Sequence, residues 1–376
     1  MRWGASARRA LVGLALARVL TRSSSSSAFA AATSASTTPV LVPRHARKLA
    51  HDSGALFFGS CFGENVVEAL ARLKFQSIES NPQGISFNPV SLSLQLSNAV
   101  SGKVWTETDL LATGLNGEIS VSLQHHTRFT ALTRDRAAML QEMNARSARA
   151  HACLHRAQFV FLTLGSAKVH SLRSTGAVVS NCHKLPSELF DSRMLGVDEV
   201  LSALGPAIEA LLSSRASSPP SVVLTVSPIR HTREGMQNNA LSKAVLRVAC
   251  AELVSKFPSA VTYFPSFEIV TDELRDYRYY SQDLIHPSPA AVEVVFDRFA
   301  QSFMSDETRS LCSEVEKILS DAQHRVTPAL ACSQQYQQHL RSTLAKIDAF
   351  EAKHALPAEG GWDFAQERKR LRALLA

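Results

Sequence analysis

The chain has 376 residues, of which 45% are hydrophobic and 19% are charged, and its six cysteines include no Cys-x-x-Cys pair. This much apolar surface excludes an intrinsically disordered chain, and so few cysteines exclude a small disulfide-stabilised scaffold. The formal net charge of +7 originates in residues 1–51, which hold seven arginines, one lysine and no acidic residue. Without these eight, 32 of the 40 basic residues remain against 33 acidic ones, so we expect no nucleic-acid partner.

The N-terminal segment has the composition of an organelle transit peptide, because it is rich in arginine and serine and contains no acid. Its apolar stretch, Ala10–Leu20, is interrupted by Arg18 and is shorter than the roughly 20 residues that span a bilayer. We therefore predict a disordered presequence over residues 1–48 and a location in an organelle matrix or stroma, with mitochondria favoured. A plastid remains the alternative because Ser27–Ala30 is similar to a plastid cleavage region. No later segment is apolar enough for a membrane helix, so the sequence predicts a soluble body without an integral membrane segment.

Apolar runs that end in glycine or proline turns predict buried strands, and helical spacing of apolar residues predicts helices between them. The first unit is a strand over Gly54–Gly59, a Ser-Cys turn and a helix over Glu64–Leu73. The later elements are, in chain order, an apolar segment Phe75–Ile78 before the turn Asn81–Gly84, a strand Phe159–Leu164, a Ser/Pro-rich hinge 213–221, a strand Val222–Val226, a helix Leu241–Phe257 and a strand Val261–Pro265. This alternation indicates a parallel sheet covered on both faces, with functional loops at the carboxyl ends of its strands.

From about residue 305 onward the chain lacks strand signals. It carries instead three charged, helix-prone segments, which are Glu314–Ile318, Tyr336–Phe350 and Ala365–Leu375. We interpret this part as a helical extension that packs on the core or offers a surface to a protein partner. The predicted organisation is therefore a presequence (1–48), an α/β domain (49–304) and a helical C-terminal extension (305–376).

The residues best suited to chemistry lie in two short motifs. Ser60 and Cys61 occupy the turn between the first strand and helix, where the positive end of a helix lowers the pKa of a thiol. The structural alternative is that Ser60 caps the helix and Cys61 fills a small apolar hole. Asp283 and His286, three residues apart, can place a carboxylate against an imidazole and fix its tautomer for base chemistry.

Two further groups have polar side chains that could face a substrate. Cys182 and His183, beside Asn181, either line a pocket or structure a loop. Arg230 and His231 follow a predicted strand end, where a substrate carboxylate or phosphate would dock. A structural salt bridge is an equally good interpretation of this second pair.

Two other motifs have residue types that invite a different function. Arg275–Tyr280 mixes charged and aromatic residues as nucleic-acid-binding patches do, but its place just before Asp283 favours shaping of a pocket. His151–His155 contains metal-ligating residue types without a paired second cluster. We therefore predict no metal site and no cofactor.

Several short blocks of the sequence, among them the turn with Ser60 and Cys61 and the motif with Asp283 and His286, resemble those of the GSCFA family. This family is named for its N-terminal motif and is grouped with the SGNH/GDSL-type hydrolases. Phe58–Phe62 matches that motif, and Gly63 stands where the family usually has alanine. The other matching blocks cover roughly residues 52–302 in the expected order, and they are Asn81–Ile85, Asn88-Pro89, His125-His126, Leu164–Ala167, Asn181–Pro186, Val226–His231, Asn239–Lys243, Tyr263–Glu268, Leu274–Tyr280 and Asp283–Ser288. So many separate blocks make a chance match improbable.

The resemblance implies a three-layer α/β/α, flavodoxin-like hydrolase fold with an acyl-transfer site centred on cysteine or serine. The first SGNH block reads Gly-Asp-Ser with serine as nucleophile, and a gap-free match places Cys61 on that serine. Ser60 is the alternative nucleophile if the turn is shifted by one residue. The last block implies Asp283 and His286 as the orienting acid and the base, and the second block implies Gly84 as an oxyanion donor.

One departure concerns the third SGNH block, Gly-x-Asn-Asp, because residues 165–168 lack its asparagine. Asn181 is our candidate substitute for that oxyanion donor. The leading hypothesis is a hydrolase or acyltransferase acting on a small-molecule, carbohydrate or lipid-like ester or thioester, with His183, Arg230 and His231 as substrate-binding candidates. The competing hypothesis is a catalytically degenerate fold that serves as a binding or scaffold protein.

Overall fold

The computed structural model describes residues 37–113, 119–124, 134–327, 330–354 and 361–375. The strands of these residues are β1 (Gly54–Gly59), β2 (Ile78–Ser80), β3 (Leu111–Thr113), β4 (Ile119–Val121), β5 (Ala157–Leu164), β6 (Lys168–Leu172), β7 (Val178–Val179), β8 (Phe190–Met194), β9 (Ser221–Val226) and β10 (Val261–Tyr263). Five of them form a parallel sheet in the order β2-β1-β5-β9-β10. Numbered along the chain, these five parallel strands follow the order 2-1-3-4-5 that is typical of flavodoxin-like folds.

Helices cover both faces of this sheet. They are α1 (Cys61–Arg72), α2 (Pro89–Ser101), α3 (Arg136–Arg156), α4 (Val197–Ser214), α5 (Met236–Lys256), α6 (Pro289–Phe303), α7 (Asp306–Gln323), α8 (Gln334–Lys353) and α9 (Ala365–Leu375). Leu56 and Phe58 of β1 pack with α2, α3, α4 and α5, whereas Ala55 and Phe57 pack with α1 and α6 on the opposite face. Because side chains alternate along a strand, burial of both faces explains the uninterrupted apolar run. The predicted three-layer α/β/α fold is confirmed.

The structure also contains small sheets that the apolar pattern does not predict. Strands β6, β7 and β8 form an antiparallel sheet between β5 and α4, and β3 pairs with β4 in a hairpin. These strands are short and largely half-buried or exposed, so they lack the apolar runs that mark the central strands. The predicted hinge 213–221 is shorter than expected, because α4 continues to Ser214.

The segment that precedes the sheet, residues 40–48, packs along α6. The N–H of Val40 donates to Oε2 of Glu273 at 2.9 Å, and the hydroxyl of Ser302 donates to a carbonyl oxygen of the segment at 2.7 Å. Residues 40–48 are thus packed on the domain, whereas the sequence predicts a disordered presequence up to residue 48. The physical reason is that apolar side chains of the segment join the core beside α6. Residues 1–36, the rest of the predicted presequence, lie outside the described residues.

The C-terminal helices α7, α8 and α9 share an apolar core of their own. They contact the domain through an ion pair of 2.8 Å between Arg72 and Glu316 and through packing of His51 against Trp362, with ring centroids 4.7 Å apart. Use of this extension by a protein partner stays a prediction. Within the described ranges, no helix has the length and apolarity needed to cross a membrane.

Candidate functional site

The carboxyl ends of the central strands create the candidate site, because parallel strands all end at the same edge of the sheet. Gly59 ends β1, and Ser227 directly follows β9. Neighbouring ends are hydrogen-bonded: the N–H of Ser60 donates to the carbonyl of Thr163 at 3.0 Å, and the N–H of Ser227 donates to that of Leu164 at 2.8 Å. The chain order of the strands reverses between β1 and β5. Open α/β sheets bind their ligands outside such a reversal point.

The turn after β1 requires glycine at position 59. Gly59 has a φ of +117°, and a Cβ atom there would lie 2.1 Å from the carbonyl oxygen of Thr163. Its N–H donates to Oδ1 of Asn81 at 2.8 Å, which ties the turn to the loop after β2. The next two residues, Ser60 and Cys61, are thereby held at the strand end.

Ser60 and Cys61 have different surroundings. Ser60 is only 1% exposed, its hydroxyl donates to the hydroxyl of Ser227 at 3.1 Å, and its side chain caps α1 by accepting the N–H of Phe62. Cys61 is partly exposed and is the first residue of α1. The positive end of the helix dipole favours a thiolate at this position. Ser60 therefore has the structural role of a helix cap, while Cys61 has both the access and the setting of a nucleophile.

Asp283 and His286 form the predicted carboxylate–imidazole pair. Oδ2 of Asp283 lies 2.7 Å from Nδ1 of His286, and Oδ1 accepts the N–H groups of Ile285 and His286 at 2.9 and 3.0 Å. Burial raises the pKa of Asp283, but these hydrogen bonds outweigh it and hold that pKa below its usual range. An ionised Asp283 favours the imidazole tautomer with the proton on Nδ1, so Nε2 is left as the base.

Lys243 is the site residue that the sequence analysis missed. Its side chain comes from α5, is 2% exposed, and donates to the carbonyl oxygens of Gly165 at 2.6 Å and Ser227 at 2.7 Å. Burial lowers the pKa of Lys243 to about 7, and the charge of Cys61 opposes this shift. The available signal was its spacing: Asn239, Lys243 and Leu246 lie on one buried face of the helix.

His231 connects Lys243 to the base. Burial lowers the pKa of His231 to about 4, and the positive charges of Lys243 and His286 lower it further. Its Nε2 is buried and has no hydrogen-bond partner among the described residues, and its backbone N–H donates to Oδ1 of Asn239 at 2.9 Å. Cys61, Lys243, His231 and His286 therefore form a series in which each is within electrostatic range of the next.

The two predicted oxyanion donors have other partners in this conformation. The N–H of Gly84 donates to the carbonyl of Asn81 at 2.7 Å, inside the turn after β2. Oδ1 of Asn181 accepts the N–H of His183 at 2.8 Å, and Nε2 of His183 lies 2.8 Å from the carbonyl of Ser122. Gly84 thus lies at the predicted sheet edge, whereas these bonds of Asn181 and His183 hold the loop after β7.

Arg230 stacks on aromatic side chains, where the sequence suggested a salt bridge or an anion-binding role. Its guanidinium carbon lies 3.8 Å from the ring centre of Tyr280 and 5.2 Å from that of Tyr277. Its backbone N–H donates to the carbonyl of Ile285 at 3.2 Å. Arg230 and the tyrosines therefore support the loop that carries His286, while the pocket-shaping role of this aromatic motif stays a prediction.

The remaining histidine motifs lie elsewhere or cannot be placed. His151 and His155 lie one turn apart on α3, with their Nε2 atoms 3.1 Å from each other, and Nδ1 of His151 is 2.8 Å from the carbonyl of Ala99. His125 and His126 lie outside the described residues. In the part of the chain that the structure describes, no three His, Cys, Asp or Glu side chains are grouped as metal ligands.

The candidate site lies within the part of the chain that matches one protein-family model. Residues 55–299 match the profile of the GSCFA family, which is well over half of the chain. The matched range begins in β1 and ends in α6, so it contains the central sheet and every candidate residue described above. The comparison with curated proteins found no match.

Proposed function

The chain belongs to the GSCFA family, and from this premise we propose that it is a hydrolase or acyltransferase that cleaves an ester or a thioester. Cys61 is the proposed nucleophile, His286 the base and Asp283 the residue that orients the base. The observation that carries the proposal is the 2.7 Å contact between Asp283 and His286. The backbone N–H of Arg230, which follows β9, ties the loop of this pair to the carboxyl ends of the strands by donating to Ile285 at 3.2 Å. A nucleophile, a base and an orienting acid are the parts that covalent acyl transfer requires.

The proposed reaction has two steps. Nε2 of His286 takes the proton of the Cys61 thiol, and Sγ bonds to the carbonyl carbon while the carbonyl electrons move to its oxygen. Collapse of this intermediate breaks the bond to the leaving alcohol or thiol, which receives the proton from His286. Water, or the hydroxyl of an acceptor, then attacks the carbonyl carbon of the acyl-cysteine while His286 takes its proton, and collapse of this second intermediate breaks the bond to Sγ. The acid or the new ester leaves, and His286 returns the proton to the thiolate of Cys61.

Stabilisation of the oxyanion is assigned to several donors. His231 is neutral at pH 7 because its pKa is about 4. With its proton on Nε2 it would be a donor for the oxyanion, because that buried atom has no hydrogen-bond partner among the described residues. Gly84 contributes its N–H if substrate binding opens the turn to Asn81. Asn181 would contribute the N–H groups of its amide, while its amide oxygen accepts the N–H of His183. Loss of one such donor costs about 10²–10³ in rate, so the missing third-block asparagine is compatible with catalysis.

The substrate class remains that of the sequence analysis, a small-molecule, carbohydrate or lipid-like ester. Arg230 and His183 are the further substrate-binding candidates, with Arg230 able to meet a carboxylate or phosphate beside the loop of His286. The chemistry of cysteine, histidine and aspartate requires no cofactor.

The alternative is a binding or scaffold protein on a degenerate hydrolase fold. One observation favours it: the N–H of Gly84, the predicted oxyanion donor of the second block, is already hydrogen-bonded to Asn81 at 2.7 Å. The helical extension would then supply the interaction surface.

Two reactive probes separate these possibilities. We expect iodoacetamide to label Cys61 in the full chain, and a fluorophosphonate probe, which reports activated serines, to leave Ser60 unlabelled. Acyl-cysteine formation is then followed by mass spectrometry after incubation with p-nitrophenyl acetate and with acetyl thioesters. Cys61→Ala should remove the acyl adduct, and Cys182→Ala, which replaces another partly exposed cysteine, should retain it. No adduct with any of these acyl donors, in a protein whose Cys61 reacts normally, would support the binding protein.

A further inference from the structure

Lys243 has no evident structural reason to be charged. The ammonium group has three N–H donors, and two of them meet the carbonyl oxygens of Gly165 and Ser227. Neutral donors would join these two strand ends as well, without the cost of burying a charge. Among the described residues no carboxylate forms an ion pair with Lys243, and the ionisable group whose negative charge acts on it is Cys61.

A short series of buried contacts leads from Lys243 to the nucleophile turn. Lys243 holds the carbonyl of Ser227, the hydroxyl of Ser227 accepts that of Ser60 at 3.1 Å, and Cys61 directly follows Ser60. Ser60 and Ser227 are 1% and 0% exposed, so little water screens a charge placed beneath this turn. Buried groups therefore connect the ammonium of Lys243 to the turn that carries Cys61, whose own side chain is partly exposed.

We propose that Lys243 is a positioning residue whose ammonium group stabilises the thiolate of Cys61. The effect is reciprocal: a thiolate at Cys61 makes Lys243 hold its proton more tightly, so a charged Lys243 must make Cys61 release its proton more easily, by the same free energy. Only the catalytic role of this electrostatic effect rests on the proposed function, because the ionisation of Cys61 can be measured without turnover.

Other ionisable groups belong to the elements around this turn. They are Glu64 in the first turn of α1, His231 after β9, and the pair Asp283 and His286 before α6. Since the pKa of His231 is about 4, that residue is neutral across the neutral and alkaline range in which a thiol titrates. A change seen on removal of Lys243 above pH 6 therefore does not originate in the titration of His231.

The test measures the rate at which iodoacetamide alkylates Cys61 as a function of pH. The background is the full chain with Cys182→Ser and Cys332→Ser, because the other three cysteines are buried. Lys243→Met removes the charge with little change in length. Because the pKa of Lys243 is about 7, about half of the molecules carry its charge at pH 7. We expect the midpoint of the pH–rate curve to rise, and a coupling of about one pKa unit would slow alkylation near pH 7 about five-fold.

Ser242→Ala is the matched control. Ser242 is the neighbouring buried residue of α5 and accepts the N–H of Ala167 at 2.7 Å, so its loss disturbs the same helix and strand end without removing a charge. We expect its midpoint to equal that of the parent protein. An unchanged midpoint in folded Lys243→Met protein, or an equal shift in both variants, overturns the proposal.

A second measurement decides the case in which Lys243→Met does not fold. The side-chain titration of Lys243 is followed by NMR in lysine-labelled protein with Cys61 intact and with Cys61→Ser. Reciprocity requires the pKa of Lys243 to fall when Cys61 is replaced, and an unchanged titration overturns the proposal. If the coupling is present but Cys61→Ser retains full turnover, the electrostatic inference stands and the proposed function fails.

Discussion

At the scale of single residues, the adjacent side chains Ser60 and Cys61 are distinguished by access and by hydrogen bonding. The buried hydroxyl of Ser60 is engaged with Ser227 and with the first turn of α1, whereas Cys61 is partly exposed. The gap-free match to Gly-Asp-Ser pointed to the same residue from the sequence alone. The assignment of Cys61 as the nucleophile is a prediction that kinetic measurements test.

We expect Cys61→Ala to lower kcat/KM for an activated ester by at least about 10³-fold, because no other group replaces the attacking atom. His286→Ala should cost nearly as much, and Asp283→Asn should be damaging through the wrong imidazole tautomer. Ser60→Ala should lose about 1 kcal/mol of stability as a helix cap and only modest activity. Steady-state kinetics on folded variants check this, and a fully active Cys61→Ala beside an inactive Ser60→Ala would move the nucleophile to Ser60.

Glycine positions 59 and 63 offer a second test at this scale. We expect Gly59→Ala to destabilise the protein by about 3 kcal/mol or more, because its φ is +117° and the new Cβ would lie 2.1 Å from a backbone carbonyl. Gly63→Ala is the control: its Cβ would lie 3.1 Å from Oγ1 of Thr163. The gain in helix propensity, about 1 kcal/mol, should offset that contact. Urea unfolding measures both, and equal costs would contradict the geometry of the turn.

At the scale of elements, a group of side-chain contacts around His51 joins the domain to its helical extension. His51, just before β1, is 2% exposed and stacks on Phe75 with ring centroids 4.2 Å apart. On its other side lie Trp362 and Cys312 of the extension. Burial lowers the pKa of His51 to about 4, so this junction is formed by a neutral imidazole.

This burial makes the stability of the junction dependent on pH. An unfolded chain protonates His51 near pH 6.5 and the folded one near pH 4, so the unfolded state binds more protons in between. The resulting loss of unfolding free energy begins below pH 6.5, is complete below pH 4, and amounts to about 2 kcal/mol by pH 5. His51→Phe should keep the ring packing and remove this share of the acid sensitivity.

Urea unfolding between pH 7.5 and pH 5 compares the variant with the parent protein. His155→Phe, at an exposed position of α3, is the matched control and should leave the pH profile unchanged. Parallel profiles for His51→Phe and the parent protein would show that His51 is not protected from protonation in the folded state.

At the scale of the whole molecule, the N-terminal segment divides into two parts. Residues 40–48 are hydrogen-bonded to the domain and add apolar side chains to its core. The arginine-rich composition that predicts import extends through residues 1–51, so composition alone could not separate a cleaved leader from a packed segment. We therefore propose that the protein is imported into an organelle, with mitochondria favoured over plastids, and that cleavage leaves residues 40–48 on the domain.

Fusion of residues 1–50 to a fluorescent protein tests import, and a diffuse cytosolic signal would contradict it. N-terminal sequencing of the processed full chain tests the boundary. We expect the new N-terminus to lie before Val40, because loss of this segment would remove its contacts with Glu273 and Ser302. A mature protein that begins after residue 48 and is equally stable would show that these contacts are dispensable.

Features that depend on neighbours in the chain could be predicted from the amino-acid sequence. The apolar runs of β1, β5 and β9, the turn at Gly59 and the pairing of Asp283 with His286 all involve short separations, where local spacing decides the geometry. Features that depend on the order of strands in the sheet were decided only by the tertiary structure. Ser60 meets Ser227 across 167 residues, and the carbonyls held by Lys243 belong to two different strand ends. A buried lysine carries no local pattern of its own, because its role arises from groups that folding brings together.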